Sequence, residues 1–244
     1  MQILITEPIV KSCHNIFIAN RRRCDRSLWN EFGDIPWFDV TFAGGHPLFS
    51  TLSPMYPHGD LPVPFTKRSL TATSLEAVWQ GLKVFEHEGA LIDAKSLSKF
   101  GDKNIKRSSS RKRGKILGHQ QGIYAERQLL SLIEARAFIY APLYRWQLKH
   151  KCQEALDVLR EALSVTDIVL LEAGIDSDIH DVFTPMTHSA LLRLYILGQY
   201  PECGIKHPWR PFTAAEHDAD MIQRKKEQRK RCKLQKYLHS QIYT

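Results

Sequence analysis

A chain of 244 residues with 43% hydrophobic and 25% charged residues carries enough apolar material for a real core, which excludes a disordered polymer. No run of about 18 apolar residues occurs, so a transmembrane helix and a membrane partner are not expected. The net charge of +8 is uneven: one basic cluster spans Lys103 to Lys115 and another spans Arg224 to Lys233, so phosphate or nucleic acid is a candidate partner and solvated surface is the plainer alternative.

The first residues lack the basic and apolar regions of a secretory signal. Five cysteines (13, 24, 152, 203 and 232) are odd in number and widely spaced, with no C-x-x-C pair. That pattern fits neither a disulfide framework nor a zinc site, and the expected setting is a reducing cytoplasm with no metal or organic cofactor.

In chain order, Ile3–Ile5 and Ile16–Ala19 read as short β segments around a polar turn. Asn20-Arg21-Arg22-Arg23 is a basic patch, a phosphate contact or ordinary surface. Trp37–Phe42 has strand composition and ends at the turn residues Gly44-Gly45. Five prolines between residues 46 and 66 impose a loop, because proline fixes φ and removes a donor. On that stiff loop Tyr56, His58 and Asp60 either wall a pocket or belong to a packed connector.

The stretch Thr73 to Phe85 reads as a helix. Thr73 can cap it and Glu76, three residues on, can complete a capping box. Leu75, Val78, Leu82 and Phe85 recur at core spacing. Glu76, Gln80 and Lys83 follow i, i+4, i+7 and share another side. A carboxylate, an amide and an ammonium in one row can bind or cleave a polar substrate; the plainer alternative is that Glu76 caps and Lys83 is solvated.

Further on, Asp93–Phe100 is a short helical stretch leading into the first basic cluster, which lacks the spacing of a phosphate-binding P-loop. Tyr124–Tyr140 reads as a helix with Leu129, Leu130, Ile133 and Ala137 as its core stripe. Pro142 opens a second helix that runs with an apolar stripe to Leu163. Asp167–Leu171 reads as a buried strand, followed by an acidic loop containing Asp176, Asp178 and His180. Thr184-Pro185 caps a last helix through Leu197 with His188 in its first turn, where a lone histidine more often packs or caps than catalyses. The expected class is α+β, mostly helical, with a small sheet from the N-terminal segments and residues 168–171. A domain over 1–212 and a basic, helical tail over 213–244 complete the expected organisation.

Several blocks together resemble the NADAR (YbiA-like) superfamily. Leu52-Ser53-Pro54-Met55-Tyr56-Pro57 is similar to its "LSNFYP" loop, Ser74 to Lys83 to its "VEHxYQxxK" helix, and Arg111 to Gly114 to its basic segment with glycine. Lys106–His119, Ile139–Trp146 and Pro185–Leu191 look like blocks of a divergent bacterial and phage branch, and the resemblance covers roughly residues 35–200. It implies a YbiA-like fold and N-glycosidase chemistry, cleavage of a C–N bond between ribose and an amine or base in a nucleotide or ADP-ribosyl substrate.

By the same resemblance Glu76 is the catalytic carboxylate, while Gln80 and Lys83 orient ribose hydroxyls or phosphate. Trp79 or Tyr56 stacks a base, and Arg107, Arg111 and Arg113 grip phosphate. Asp176 or Asp178 supplies the second catalytic group. His58, His119, Tyr144 and His188 fall in the matching blocks and join the substrate-binding set. Two departures stand out: Pro54 replaces the loop asparagine, and Asp176-Ser177-Asp178 lacks the Trp-Gly that usually follows the late aspartate. Substrate identity is therefore not carried over. A non-catalytic ADP-ribose sensor and a basic nucleic-acid-binding module are the rival expectations.

Overall fold

A computed structural model describes residues 13–44, 46–66, 70–87, 98–103, 113–123, 129–172, 174 and 186–201. Helices and short strands alternate within them, as an α+β class requires. The main sheet is parallel and three-stranded: β1 (Ile16–Asn20) and β2 (Trp37–Asp39) flank β7 (Ile168–Glu172). Ile18 and Phe38 both lie opposite Leu170, so the register is shared across the sheet.

All five residues of β7 are buried, which its unbroken apolar run foretells for a strand covered on both faces. Alternation divides them. Ile168 and Leu170 enter the large core, whereas Val169 and Leu171 meet Leu28 of α1 (Asp25–Phe32) in a small second core.

Two short antiparallel ladders extend from the sheet side. β3 (Leu61–Pro62) pairs with β4 (Thr71–Ala72), and β5 (Lys83–Phe85) pairs with β6 (Ile116–His119). Between them lie α2 (Pro47–Ser50), α3 (Leu75–Gly81) and a 3-10 turn, Lys99–Gly101. α4 (Leu132–Ala135) continues through a π-helical turn, Arg136–Tyr140, into α5 (Ala141–Lys151); α6 (Gln153–Val165) and α7 (His188–Ile196) follow. Leu148, Leu156, Leu159 and Leu163 are fully buried in the large core. Each such leucine contributes roughly 1.5–3 kcal/mol by leaving water.

Six local expectations need correction. The helix predicted over Thr73–Phe85 stops at Gly81, and Lys83–Phe85 is a strand because the main chain of β6 supplies its partners. Its cap is Ser74, whose hydroxyl accepts from Ala77 N at 3.1 Å, so Glu76 is no member of a capping box. A capping box does occur at α4, between Ser131 and Glu134. The core stripe expected before Tyr140 rotates: Ala135, Arg136 and Ile139 are buried while Ile133 and Ala137 are only half-buried. A wider π turn shifts the buried face relative to an α-helical count.

The helix predicted from Pro142 to Leu163 breaks at Cys152, whose φ of −122° is not helical. The last helix begins at His188 behind Thr187, and the strand at Trp37 ends at Asp39, where the Asp39 carboxylate turns back to accept from Thr41 N and Oγ1. The expected strand at Ile3–Ile5, the helix start at Tyr124, Thr184-Pro185, the boundary near residue 212 and the basic tail lie outside the described residues.

Candidate functional site

The site is built on the first turn of α3. Ser74 is extended and caps, which leaves Glu76 at the second helical position, with its own N–H donated at 2.9 Å to Pro54 O. A carboxylate there is favoured by the first-turn peptide dipoles. Glu76 is 7% exposed and Gln80, one turn on, is 1% exposed. Gln80 Nε2 donates to Glu76 Oε1 at 2.7 Å, and Lys83 Nζ donates to Gln80 Oε1 at 3.3 Å. The amide is thereby oriented, because only its NH2 can serve the carboxylate and only its oxygen can serve the ammonium. The row read from i, i+4, i+7 spacing is real, although Lys83 reaches it from β5 rather than from the helix.

Close packing holds α3 in place. A Cβ on Gly81 would come within 2.4 Å of the Phe100 ring, so the absent side chain lets the 3-10 turn seat against the helix. Lys99 Nζ then donates to Gln80 O at 3.4 Å.

Aromatic rings flank the row. The Lys83 ammonium lies 5.7 Å from the Trp79 ring centroid, and the His119 ring lies 3.9 Å from Trp79, centroid to centroid. Tyr140 meets Trp79 edge-on at 5.4 Å. Burial, reinforced by the Lys83 charge, holds the His119 imidazole well below its ordinary pKa, so the ring is neutral.

The aromatic contacts continue to a second ionisable pair. Tyr140 stacks on Tyr144 at 6.4 Å, and Tyr144 meets His188 edge-on at 6.1 Å. His188 Nδ1 stands 2.5 Å from Glu172 Oε2, and its Nε2 stands 2.9 Å from Val40 O. A carbonyl only accepts, so Nε2 carries hydrogen, and Nδ1 faces the carboxylate. Both residues are buried, and Glu172 ends the central parallel strand, the end at which parallel sheets bind ligands. Glu172 was missed in the sequence because it reads as the start of the acidic loop. The available signal was a carboxylate directly ending a buried apolar strand.

Beneath these groups the carbonyls of Thr51–Pro54 are all engaged. Thr51 O accepts from Gln147 Nε2 and Cys152 Sγ and lies 2.8 Å from His58 Nε2; Leu52 O accepts from the Tyr144 hydroxyl at 2.9 Å; Ser53 O accepts from Gln147 Nε2; Pro54 O accepts from Glu76 N. Burial keeps Tyr144 protonated by raising its pKa well above the usual value, and pushes the Cys152 thiol up to about 12, so both serve as donors. His58 is held below its ordinary pKa, first by burial and further by Lys151, with the Thr51 contact opposing. His58 and Tyr144 are thus tied to backbone, a supporting role beside the substrate-binding one expected of them.

Tyr56 packs on the His58 ring at 4.7 Å and on Phe42 at 6.3 Å. Arg113 lies over the Phe85 ring at 4.3 Å, two residues along β5 from Lys83. Arg21 pairs with Asp39 at 3.2 Å and Arg23 with Glu31, which accounts for two of the three arginines of the early basic patch. Arg107, Arg111, Asp176 and Asp178 lie outside the described residues. Among the described residues no group of three or more His, Cys, Asp and Glu side chains is placed to hold a metal ion, and no helix is long and apolar enough to cross a membrane.

Fold and site together define an α+β protein with a buried carboxylate–amide–ammonium relay beside an aromatic wall. The chain belongs to a family of unknown function, DUF6939, whose family model matches residues 20–192 and so includes every described candidate residue. No curated protein and no solved structure matches it.

Proposed function

We propose that the protein is a cytoplasmic N-glycosidase of NADAR (YbiA-like) type. It hydrolyses the C–N bond between ribose and a base or amine in an ADP-ribosyl or ribosyl-phosphate substrate, including ADP-ribose attached to a nucleobase. The observation that carries the reading is the Glu76–Gln80–Lys83 relay. It leaves Glu76 Oε2 without a partner among the described residues, while Oε1 is fixed by the amide.

In the reaction the C–N electron pair departs with the base nitrogen. The oxocarbenium-like carbon that remains is stabilised by the Glu76 carboxylate, and water supplies the oxygen of the new C–O bond. One proton of that water ends on the leaving nitrogen. Glu172 and His188, whose Oε2 and Nδ1 stand 2.5 Å apart, form the described carboxylate–imidazole pair suited to acid–base transfer. Lys83 supplies positive charge for a phosphate or ribose oxygen, Trp79 and Tyr56 offer stacking faces, and Arg113 with the other arginines of its segment grips phosphate.

The test is incubation of wild type and Glu76→Gln with NAD, free ADP-ribose, riboflavin-pathway ribosylamines and ADP-ribosylated guanine in DNA, read by product mass. Wild type is expected to release base and ribosyl product from one of them, and Glu76→Gln to do so at least about 100-fold more slowly. Equal turnover by the variant overturns the assignment of Glu76. Saturable ADP-ribose binding with no product supports a sensor instead, and DNA binding that weakens steeply with salt and survives Glu76→Gln supports a nucleic-acid module.

A further inference from the structure

Leu28 and Phe32 turn the inner face of α1 to the small second core, and the outer face carries a groove of about 540 Å³. Arg23, Cys24, Arg26, Ser27, Asn30 and Glu31 line it. Arg23 is fixed as its wall. Its Nε and Nη2 donate to Ser27 Oγ at 3.1 and 2.9 Å, Nη2 also donates to Ser27 O at 2.9 Å, and Nη1 pairs with Glu31. The carboxylate of the groove is thereby neutralised. Arg26 and Asn30 are both exposed, and their side chains make no hydrogen bond or ion pair among the described residues. Trp29 is 54% exposed, more than any other aromatic residue described. Spacings of three and four set Trp29 and Asn30 on either side of Arg26 along one helix surface. An indole face, a guanidinium and an amide therefore form a continuous strip at the edge of the groove.

We propose that this face of α1 binds single-stranded nucleic acid, with a base stacked on Trp29 and the adjoining phosphate held by Arg26 and Asn30 over the groove. Every base has a flat π-face, so an exposed indole accepts a strand of any sequence. A guanidinium beside it meets two phosphate oxygens at once, and the Asn30 amide adds a neutral donor. The net charge of +8 draws a polyanion toward the chain. Asp25, the acid of the first turn, does not line the groove and leaves Arg26 unopposed there. A duplex hides its base faces and an acidic peptide has no base to stack, so the indole beside a free guanidinium selects the single strand. The surface is separate from the Glu76 row. α1 covers the Val169 and Leu171 face of the sheet, whereas Leu75 and Val78 of α3 belong to the large core. The inference therefore stands apart from the hydrolytic reading.

Fluorescence anisotropy of a labelled oligodeoxythymidine of about 12 nucleotides, titrated with the full chain, tests it. Wild type is expected to bind. Trp29→Ala is expected to bind about tenfold more weakly, and Trp29→Phe, which restores an aromatic face, to recover most of the loss. Arg26→Gln is expected to weaken binding and to lower the slope of log affinity against log salt by about one. Val165→Ala, at a position 74% exposed on α6, serves as the control and should change nothing. All these side chains are exposed, so melting temperatures equal to wild type show that weaker binding is not unfolding. No oligonucleotide bound by wild type overturns the proposal. So does affinity unchanged in Trp29→Ala, which would assign binding to basic segments elsewhere in the chain. Equal affinity for a duplex of the same length, or equal displacement by polyglutamate, overturns it as well. Glu76→Gln should bind the oligonucleotide as wild type does, so loss of turnover and loss of this surface are read separately.

Discussion

The two ends of α3 are set among buried polar groups of opposite kind. At its N-terminal end Pro54 O receives the Glu76 N–H, and every carbonyl from Thr51 to Pro54 is taken up by a buried donor. Past its C-terminal end Leu82 O receives the Gln120 N–H, yet the side-chain polar atoms of His119 and Gln120 have no hydrogen-bond partner among the described residues. One cluster has all its main-chain carbonyls engaged and acts as scaffold, with Gln147 Oε1 its unpartnered atom among the described residues; the other has four unpartnered side-chain atoms. A satisfied network rigidifies, whereas an unsatisfied one is tolerated only where something else repays it.

Gly118→Ala is the strongest way to break this contrast. The new Cβ would collide with the Leu130 carbonyl, and φ of +155° is a conformation that side chains rarely adopt. A loss of about 3 kcal/mol is expected in urea unfolding; a loss below about 1 kcal/mol would mean that β6 slides freely and that the burial of His119 is not enforced. Tyr144→Phe attacks the finished cluster instead. Leu52 O is left without a partner among the described residues, at an expected cost of about 2 kcal/mol. No loss of stability would show that this carbonyl needs no donor, and the distinction between the clusters would fall.

The smallest effect is in pH. His119 and His58 are both held below the ordinary imidazole value of 6.5, so the unfolded chain takes up protons that the folded one refuses. Their contribution is fully present above pH 6.5 and is lost as pH falls from there toward the folded pKa values. The slope approaches about 1.4 kcal/mol per pH unit for each histidine in that window. His119→Phe is expected to flatten the acid limb of the melting-temperature profile; an unchanged limb would mean that His119 is protonated in the folded protein.

Much of the frame was legible. The apolar run at Ile168–Leu171 could only be a covered strand, and Leu75, Val78, Leu82 and Phe85 are all buried as their spacing foretold. Lys83 was grouped correctly with Glu76 and Gln80 for an incorrect reason. A spacing of seven brings side chains together on a helix, but here the pairing of Lys83 with His119 decides the backbone. That partner strand begins 31 residues beyond Phe85, so no local window reveals it. The break at Cys152 has no proline or glycine to announce it. The Glu172–His188 pair depends on strand and helix meeting across a 16-residue separation. The orphaned state of Gln120 depends on everything that fails to reach it, which no motif encodes.

The position of β7 also dictates when the protein can exist. Its two neighbours, β1 and β2, are complete within the first 39 residues, but they bond to β7 and not to each other. On a ribosome both strands emerge early and wait with their edges unpaired until residue 172 has cleared the exit tunnel. Chains halted before Ile168 lack the strand that joins β1 to β2, so the parallel sheet forms late, and unfinished chains are the ones most in need of a chaperone.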